Sequence, residues 1–263
     1  MNQLSAWREG TPEFLAALVL SHPKLLFMTD YDGTLVPIRE RPEIALPGPG
    51  LLKVLKRLAQ KSRVKVAIIS GRDLEELNRM LPVAGIYLAG CHGAEIVGPG
   101  DEKIKTFDDT ELDRVLDEIY GRLLSFTAGK QGFLAERKKT AVALHYRLAD
   151  PAIALKVVGD FVAAVRPLVN EKELEFLAGK KVIEVRPKAV NKGEAVSCLM
   201  NLYPDFYPVY LGDDTTDEDA FKAVRNNGLG ILVAGEKKFT AAEQWLRGSQ
   251  DVLRFMQIIA ARC

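Results

Sequence analysis

Apolar and polar positions along the chain fall into two kinds of block. Short apolar runs without helical spacing, LLFMT at 25–29 and VKVAIIS at 64–70, read as buried strands. Between them, residues 49–61 put Leu51, Leu52, Leu55 and Leu58 on one face beneath a basic outer surface, the pattern of an amphipathic helix. A shorter helix at 73–80 and a strand at 86–89 follow. Strands alternating with helices predict a parallel sheet covered on both faces.

The middle of the chain changes rhythm. Residues 109–128 carry Leu112, Val115, Leu116 and Ile119 at helical spacing, and strand-like pieces at 132–137 and 141–147 flank a Lys138-Lys139-Thr140 turn. Pro151 opens a second helix to about residue 169, and strands at 174–178 and 181–186 hinge at Gly179. Helix, hairpin, helix, hairpin is an α+β layer rather than another parallel unit. From residue 191 the alternation resumes: helix 192–202, strand 207–211, helix 216–224, strand 229–233, then helices to the end. The expected organisation is an α/β core, residues 1–106 and 188–263, interrupted by an α+β insert at 107–187. No internal repeat is visible.

Composition narrows the function classes. The 263 residues are 48% hydrophobic and 27% charged, which excludes a disordered or collagen-like chain. Lys plus Arg number 36 against 35 Asp plus Glu, a balance that gives no reason to invoke nucleic acid or an acidic membrane surface. Cys91, Cys198 and Cys263 have neither disulfide-framework nor zinc spacing. Glu9 and Pro12 precede the first apolar stretch, unlike a signal peptide, and no apolar run reaches the ~18 residues of a membrane span. The expectation is a soluble, cytoplasmic protein with no nucleic-acid or membrane partner.

Candidate chemistry lies at strand ends, where open α/β sheets bind ligands. DYDGTL, residues 30–35, follows the first buried strand and sets two carboxylates one residue apart. A plain Asp-Gly turn is the alternative. A calcium loop is not, since its sixth and twelfth positions would be Leu35 and Arg41. GDDTTDE, residues 212–218, also leaves a strand and enters a helix; helix capping would explain it in isolation. Two such acidic turns at one sheet edge would repel unless a divalent cation lay among them, and oxygen-only ligands favour magnesium. Ser70, before Gly71-Arg72, offers a hydroxyl and backbone N–H groups to an anion, and Lys192 offers a point charge.

In this order DYDGTL, IISGR, NKG and GDDTTDE resemble the motifs of haloacid-dehalogenase-type phosphatases, across the whole core. The resemblance implies a doubly wound, Rossmann-like core with an inserted cap, acting as a phosphoric monoester hydrolase. It implies Asp30 as nucleophile, forming an aspartyl-phosphate, and Asp32 as general acid and then base. Adjacent carboxylates and desolvation are expected to keep Asp32 protonated for its first role. Mg2+ would be held by Asp30, the Asp32 carbonyl and Asp213, with Asp214 in or beside its coordination shell. Ser70 and Lys192 would stabilise the transferring phosphoryl group.

GCHGAE at 90–95, Glu136 with Lys138, HYR at 145–147 and IEVRP at 183–187 are similar to motifs of trehalose-6-phosphate phosphatases. The likeness extends the substrate-binding set to Thr34, Gly71, Arg72, His92, Gly93, Glu95, Glu136, Lys138, His145, Arg147, Glu184 and Arg186. Strand alternation puts His145 and Arg147 on one face of their strand, and Glu184 and Arg186 on one face of theirs. These polar faces would be free to cover the active site; a solvated sheet face is the alternative. Glu136 and Lys138 have the opposite parity to His145, so a shared face requires the turn to reset the register. The implied substrate is trehalose 6-phosphate, the implied partner a separate trehalose-phosphate synthase. Rival readings are a sucrose, mannosyl or glucosylglycerate phosphate phosphatase, or a non-catalytic sugar-phosphate sensor.

Overall fold

The computed structural model describes residues 8–106, 110–179, 181–236 and 238–263. The chain divides into two compact units, Met1–Thr106 with Asn191–Cys263, and Phe107–Val190. The larger begins with β1 (Arg8–Glu9), α1 (Pro12–Leu20), β2 (Leu25–Thr29), α2 (Pro49–Ala59) and β3 (Val64–Ile69). It continues through α3 (Leu74–Met80), β4 (Tyr87–Gly90), β5 (Glu95–Val97) and β6 (Lys103–Thr106). The smaller unit holds α4 (Thr110–Thr127), β7 (Leu134–Lys138), β8 (Ala141–His145), α5 (Pro151–Glu171), β9 (Leu174–Gly179) and β10 (Val182–Pro187). The larger unit resumes with α6 (Lys192–Leu202), β11 (Tyr207–Gly212), α7 (Glu218–Val224) and β12 (Leu229–Val233). It ends with β13 (Gln244–Leu246) and α8 (Ser249–Arg262).

The large sheet runs β1-β13-β12-β11-β2-β3-β4-β5-β6 and is parallel as far as β4; β5 and β6 add an antiparallel edge. Its strands are buried on both faces, as their unbroken apolar runs require. On β2, Leu25 and Phe27 join Leu15, Leu55 and Phe255 of α1, α2 and α8, while Leu26 and Met28 join Val196, Leu199 and Phe221 of α6 and α7. The same split recurs on β3 and β11, which makes the core doubly wound. β11 and β3 flank β2, so the turns after all three meet at one sheet edge.

The small sheet, β7-β8-β10-β9, is wholly antiparallel. Val142, Leu144 and Val185 pack one face onto Leu116 and Ile119 of α4 and Val157 and Phe161 of α5. The second junction between units falls after Val190, where Lys188 N–H donates to the Glu173 carbonyl at 3.0 Å.

Several boundaries differ from the sequence reading. Lys138 ends β7 rather than starting the turn, and β8 stops at His145, so Arg147 lies in the following turn and not on the strand face. β1, β5, β6 and β13 have too few residues, two to four each, for a periodic signal; β13 occupies part of a stretch expected to be helical. Residue 109, the expected start of a helix, lies outside the described residues. Among the described residues, no helix is long and apolar enough to cross a membrane.

Candidate active site

Asp30 is the first residue beyond β2. Its N–H donates to the Leu211 carbonyl at 2.8 Å, extending the ladder with β11 by one residue and delivering its carboxylate, 4% exposed, to the sheet edge. Lys192, at the start of α6, is also buried, and its Nζ lies 2.7 Å from Asp30 Oδ1 and 2.7 Å from Asp217 Oδ1. Asn191 caps that helix by accepting from Glu194 N–H, which fixes where Lys192 emerges.

Asp217 is the residue that sequence reasoning missed. It read as helix capping, which is part of what the carboxylate does: Oδ2 accepts the N–H groups of Asp213 and Asp214, each at 2.9 Å. Oδ1, however, takes Lys192 and the Tyr210 hydroxyl, the latter at 2.6 Å. With four donors on its two oxygens and no exposure, Asp217 is a strut that holds Lys192 and the 213–214 turn. The spacing of Asp217 four residues after Asp213 was a visible signal, since one turn returns it to the same edge.

Asp30, Asp213 and Asp217 can bring one carboxylate oxygen each within 4.8 Å of one another. Burial, partly offset by Lys192 and reinforced by Asp217 and Asp213, pushes Asp30 well above the ordinary carboxylate range. Burial and the neighbouring Asp217 likewise push Asp213 up to about 7. Burial alone would lower Lys192, but Asp217 and Asp30 outweigh it and keep the ammonium charged. Lys192, with Lys238 near Asp213, does not suffice for all three carboxylates to be ionised together. Asp30 Oδ2 is buried with no hydrogen-bond partner among the described residues. An oxygen-rich site with an orphaned carboxylate oxygen and mutually crowded carboxyls fits a hard divalent cation. Because Asp217 is saturated, Asp30 and Asp213 are the side chains with capacity to hold it. Asp214 keeps an exposed carboxylate outside the cluster.

Gly33 sits at φ +91°, and a Cβ there would lie 2.2 Å from Asp213 Oδ2, so only glycine lets the two acidic turns approach. Thr34 is fully buried, its hydroxyl without a hydrogen-bond partner among the described residues. Ser70, one strand over, is buried; its hydroxyl accepts from Arg72 N–H at 3.2 Å and its carbonyl from His92 N–H at 2.8 Å. Cys91, His92 and Gly93 are all left-handed, with φ of 49°, 57° and 94°. For the two non-glycine residues this costs roughly 1–2 kcal/mol each. The turn lays the His92 ring against Gly71, where a Cβ would meet ring atoms at 2.7 Å. Glu95 opens β5 directly afterwards.

Asp32 departs from expectation. Its carboxylate is outside the acidic cluster and 37% exposed, so neither crowding by acids nor deep burial acts on it as foreseen. Instead Arg72 grips both oxygens, Nε to Oδ2 at 2.6 Å and Nη2 to Oδ1 at 2.7 Å.

In the smaller unit, register settles the parity question. Lys138 pairs with Ala141 across a two-residue loop, so Glu136 and Lys138 share a face with Ala143 and His145. Glu184 pairs with Ala143, and Arg186 with Glu175, on that same face. Two ion pairs form there, Lys138 with Glu184 at 2.7 Å and Arg186 with Glu175 at 2.9 Å, beside a hydrogen bond between His145 Nε2 and Glu136 Oε2 at 2.7 Å. The opposite face is the apolar one on the helices, and Arg137 there reaches Asp113 and Asp117 of α4.

The trehalose-phosphatase family model matches residues 28–245. Two Mycobacterium tuberculosis proteins described as uncharacterized glycosyl hydrolases are 40% identical over 213 residues, 78% of this chain, which spans only 16% of their length. A probable trehalose-phosphate phosphatase of Arabidopsis thaliana is 34% identical over 278 residues, covering 96% of this chain and 78% of that protein. Among solved structures, the C-terminal domain of the Candida albicans trehalose-6-phosphate phosphatase superposes with a TM-score of 0.83 at 28% identity. The match covers 98% and 99% of the two chains. A Candida albicans trehalose synthase regulatory protein domain matches at 16% identity with a TM-score of 0.76, a likeness of fold alone.

Proposed function

The chain belongs to the trehalose-phosphatase family, and we propose that it hydrolyses trehalose 6-phosphate to trehalose and phosphate. The observation that carries this reading is Asp30: a buried carboxylate at the sheet edge, steadied through Oδ1 by Lys192, with Oδ2 unengaged. A regulatory domain can share the fold, so the site rather than the fold is the argument.

Asp30 attacks phosphorus in line, the bond to the sugar oxygen breaks, and an aspartyl-phosphate forms. Asp32 delivers a proton to the departing sugar oxygen, then takes one from the water that cleaves the aspartyl-phosphate. Phosphate leaves and Asp30 is regenerated. Lys192 stays charged beside the reacting carboxylate, and the Ser70 hydroxyl, with the N–H groups of its turn, serves the phosphoryl oxygens. Asp30, Asp213 and the Asp32 carbonyl, with Asp214 nearby, would hold magnesium, which when bound would neutralise phosphoryl charge. Glu136, Lys138, His145, Arg147, Glu184 and Arg186 read the sugar hydroxyls, with Thr34, Gly71, His92, Gly93 and Glu95 closer to the phosphate. Residues 107–187 therefore act as the specificity unit. A trehalose-phosphate synthase is the proposed source of substrate. None of the three cysteines is in a disulfide, as suits a cytoplasmic enzyme.

The test is phosphate release from a panel of sugar phosphates, with and without magnesium. Trehalose 6-phosphate should be the best substrate by at least about tenfold, ~1.4 kcal/mol of barrier. Preference for sucrose, mannosyl or glucosylglycerate phosphate would replace the assignment. Tight binding without turnover would make the chain a sensor.

A further inference from the structure

Arg72 entered the reading as a substrate-binding residue, and its side chain is already engaged elsewhere. The guanidinium is buried. Both Asp32 oxygens sit on it at 2.6 and 2.7 Å, and Glu76 pairs with Nη1, which also lies 3.4 Å from Met80 Sδ. Tyr31, between the two catalytic aspartates in sequence, places its ring 5.3 Å from the guanidinium carbon. Tyr31 is itself anchored by its hydroxyl to the Ala45 carbonyl at 2.8 Å. Arg72 is thus braced by α3 on one side and an aromatic ring on another, with its fork turned to Asp32. A planar, two-pronged contact restricts both the position and the rotation of a carboxylate in a way that a point charge does not.

We propose that Arg72 is a positioning residue, acting through Asp32 rather than on the substrate. It holds the Asp32 carboxylate at a set place and angle at the rim of the site; one prong lets go when that oxygen carries the proton to or from the reacting oxygens, and the other keeps the carboxylate in place. The proposal rests on the phosphatase reading and deepens it. Arg72 on substrate phosphate, by contrast, would have to turn its fork away from Asp32 and give up both contacts.

A double-mutant cycle separates the two roles. Arg72→Met should lower kcat by roughly 30- to 100-fold, at or below the low end of what a general acid–base group contributes, with KM changed less than about threefold. In the Asp32→Asn background the same substitution should cost less than about twofold more, because the group it positions is already disabled. Arg72→Lys, which keeps charge but not the fork, should recover little. Thermal melts establish that each variant is folded. Should Arg72→Met not fold, the cycle is run with Arg72→Lys. Equal losses in both backgrounds, a raised KM at unchanged kcat, or full activity of Arg72→Lys would each overturn the proposal. The cycle is run on trehalose 6-phosphate and on an aryl phosphate. A wild type active on the aryl ester alone would refute the substrate assignment while the cycle still decides for Arg72. A wild type active on neither would overturn both.

Discussion

At the edge of the large sheet, Asp30 and Asp217 share the Lys192 ammonium, with the Asp213 carboxylate crowded against both. On the polar face of the small sheet, Glu136, Glu184 and Glu175 each have a partner of their own in His145, Lys138 and Arg186. Carboxylates crowd one another, unbalanced, in one unit, and in the other are balanced only in that each has a side-chain partner of its own. A buried cluster of acids asks for a cation, through which an anionic group can bind; a face of partnered donors and acceptors suits a neutral, hydroxyl-rich ligand. The two halves of a sugar phosphate differ in the same way.

Asp30 gives the sharpest way to break this contrast. Asp30→Asn should abolish turnover, a loss of about a thousandfold or more, while Asp217 keeps Lys192 paired. The buried acid is pushed up chiefly by desolvation, so removing its charge should leave metal-free stability at pH 7.5 unchanged or higher. Activity within about tenfold of wild type, ~1.4 kcal/mol, would remove Asp30 as nucleophile. A large drop in melting temperature would show that the cluster is balanced after all.

Metal dependence tests the same imbalance from outside. Chelation should abolish activity and magnesium restore it, with Asp213→Ala raising the magnesium concentration required. The Asp213 carboxyl, pushed up to about 7 chiefly by burial, sets the pH dependence. A carboxyl whose folded pKa lies above its unfolded value of about 4 contributes stability that is fully present below pH 4. That stability is lost as pH rises through about 7. The metal-free protein should therefore melt lower at pH 7.5 than at pH 5.5, and magnesium should raise the melting temperature more at the higher pH. A magnesium-induced shift independent of pH would contradict the burial argument.

How much was legible in the sequence follows the same division. The core announced itself because each chemical group sits beside its strand: Asp30 after LLFMT, Ser70 after VKVAII, Asp213 after the run ending at Leu211. Adjacency in sequence became adjacency at the sheet edge through parallel pairing alone. Asp217 was hidden by a competing local explanation, since a carboxylate early in a helix satisfies backbone N–H groups whether or not it also holds a lysine. The Arg72 clamp spans forty positions to Asp32, and no local pattern reports such a pair. In the smaller unit, alternation marked the polar faces. The shared face of Glu136 and His145 depended on the two-residue loop at 139–140, a register that parity along a single strand does not contain.

The smallest effect concerns that balanced face, where reading a sugar must be told from holding a sheet together. Glu136 and Glu184 differ usefully: the Glu136 side chain is 45% exposed beside His145, while that of Glu184 is 7% exposed against Lys138. Glu136→Ala removes a largely solvated partner, so melting should change by no more than an exposed ion pair is worth, at most about 1 kcal/mol. Glu184→Ala removes a buried charge that compensates Lys138, so its melting temperature should fall further. If both residues also read hydroxyls, each substitution should cut kcat/KM on trehalose 6-phosphate by roughly ten- to a hundredfold, at ~1–3 kcal/mol per lost hydrogen bond. An aryl phosphate carries no second sugar, so its hydrolysis should change less than about twofold. Glu136→Ala is the decisive variant, because its stability and its activity are expected to part company. If it slows both substrates equally, or neither, the side-chain pairs of this face serve the small sheet itself, and the trehalose assignment loses the residues expected to read its sugar.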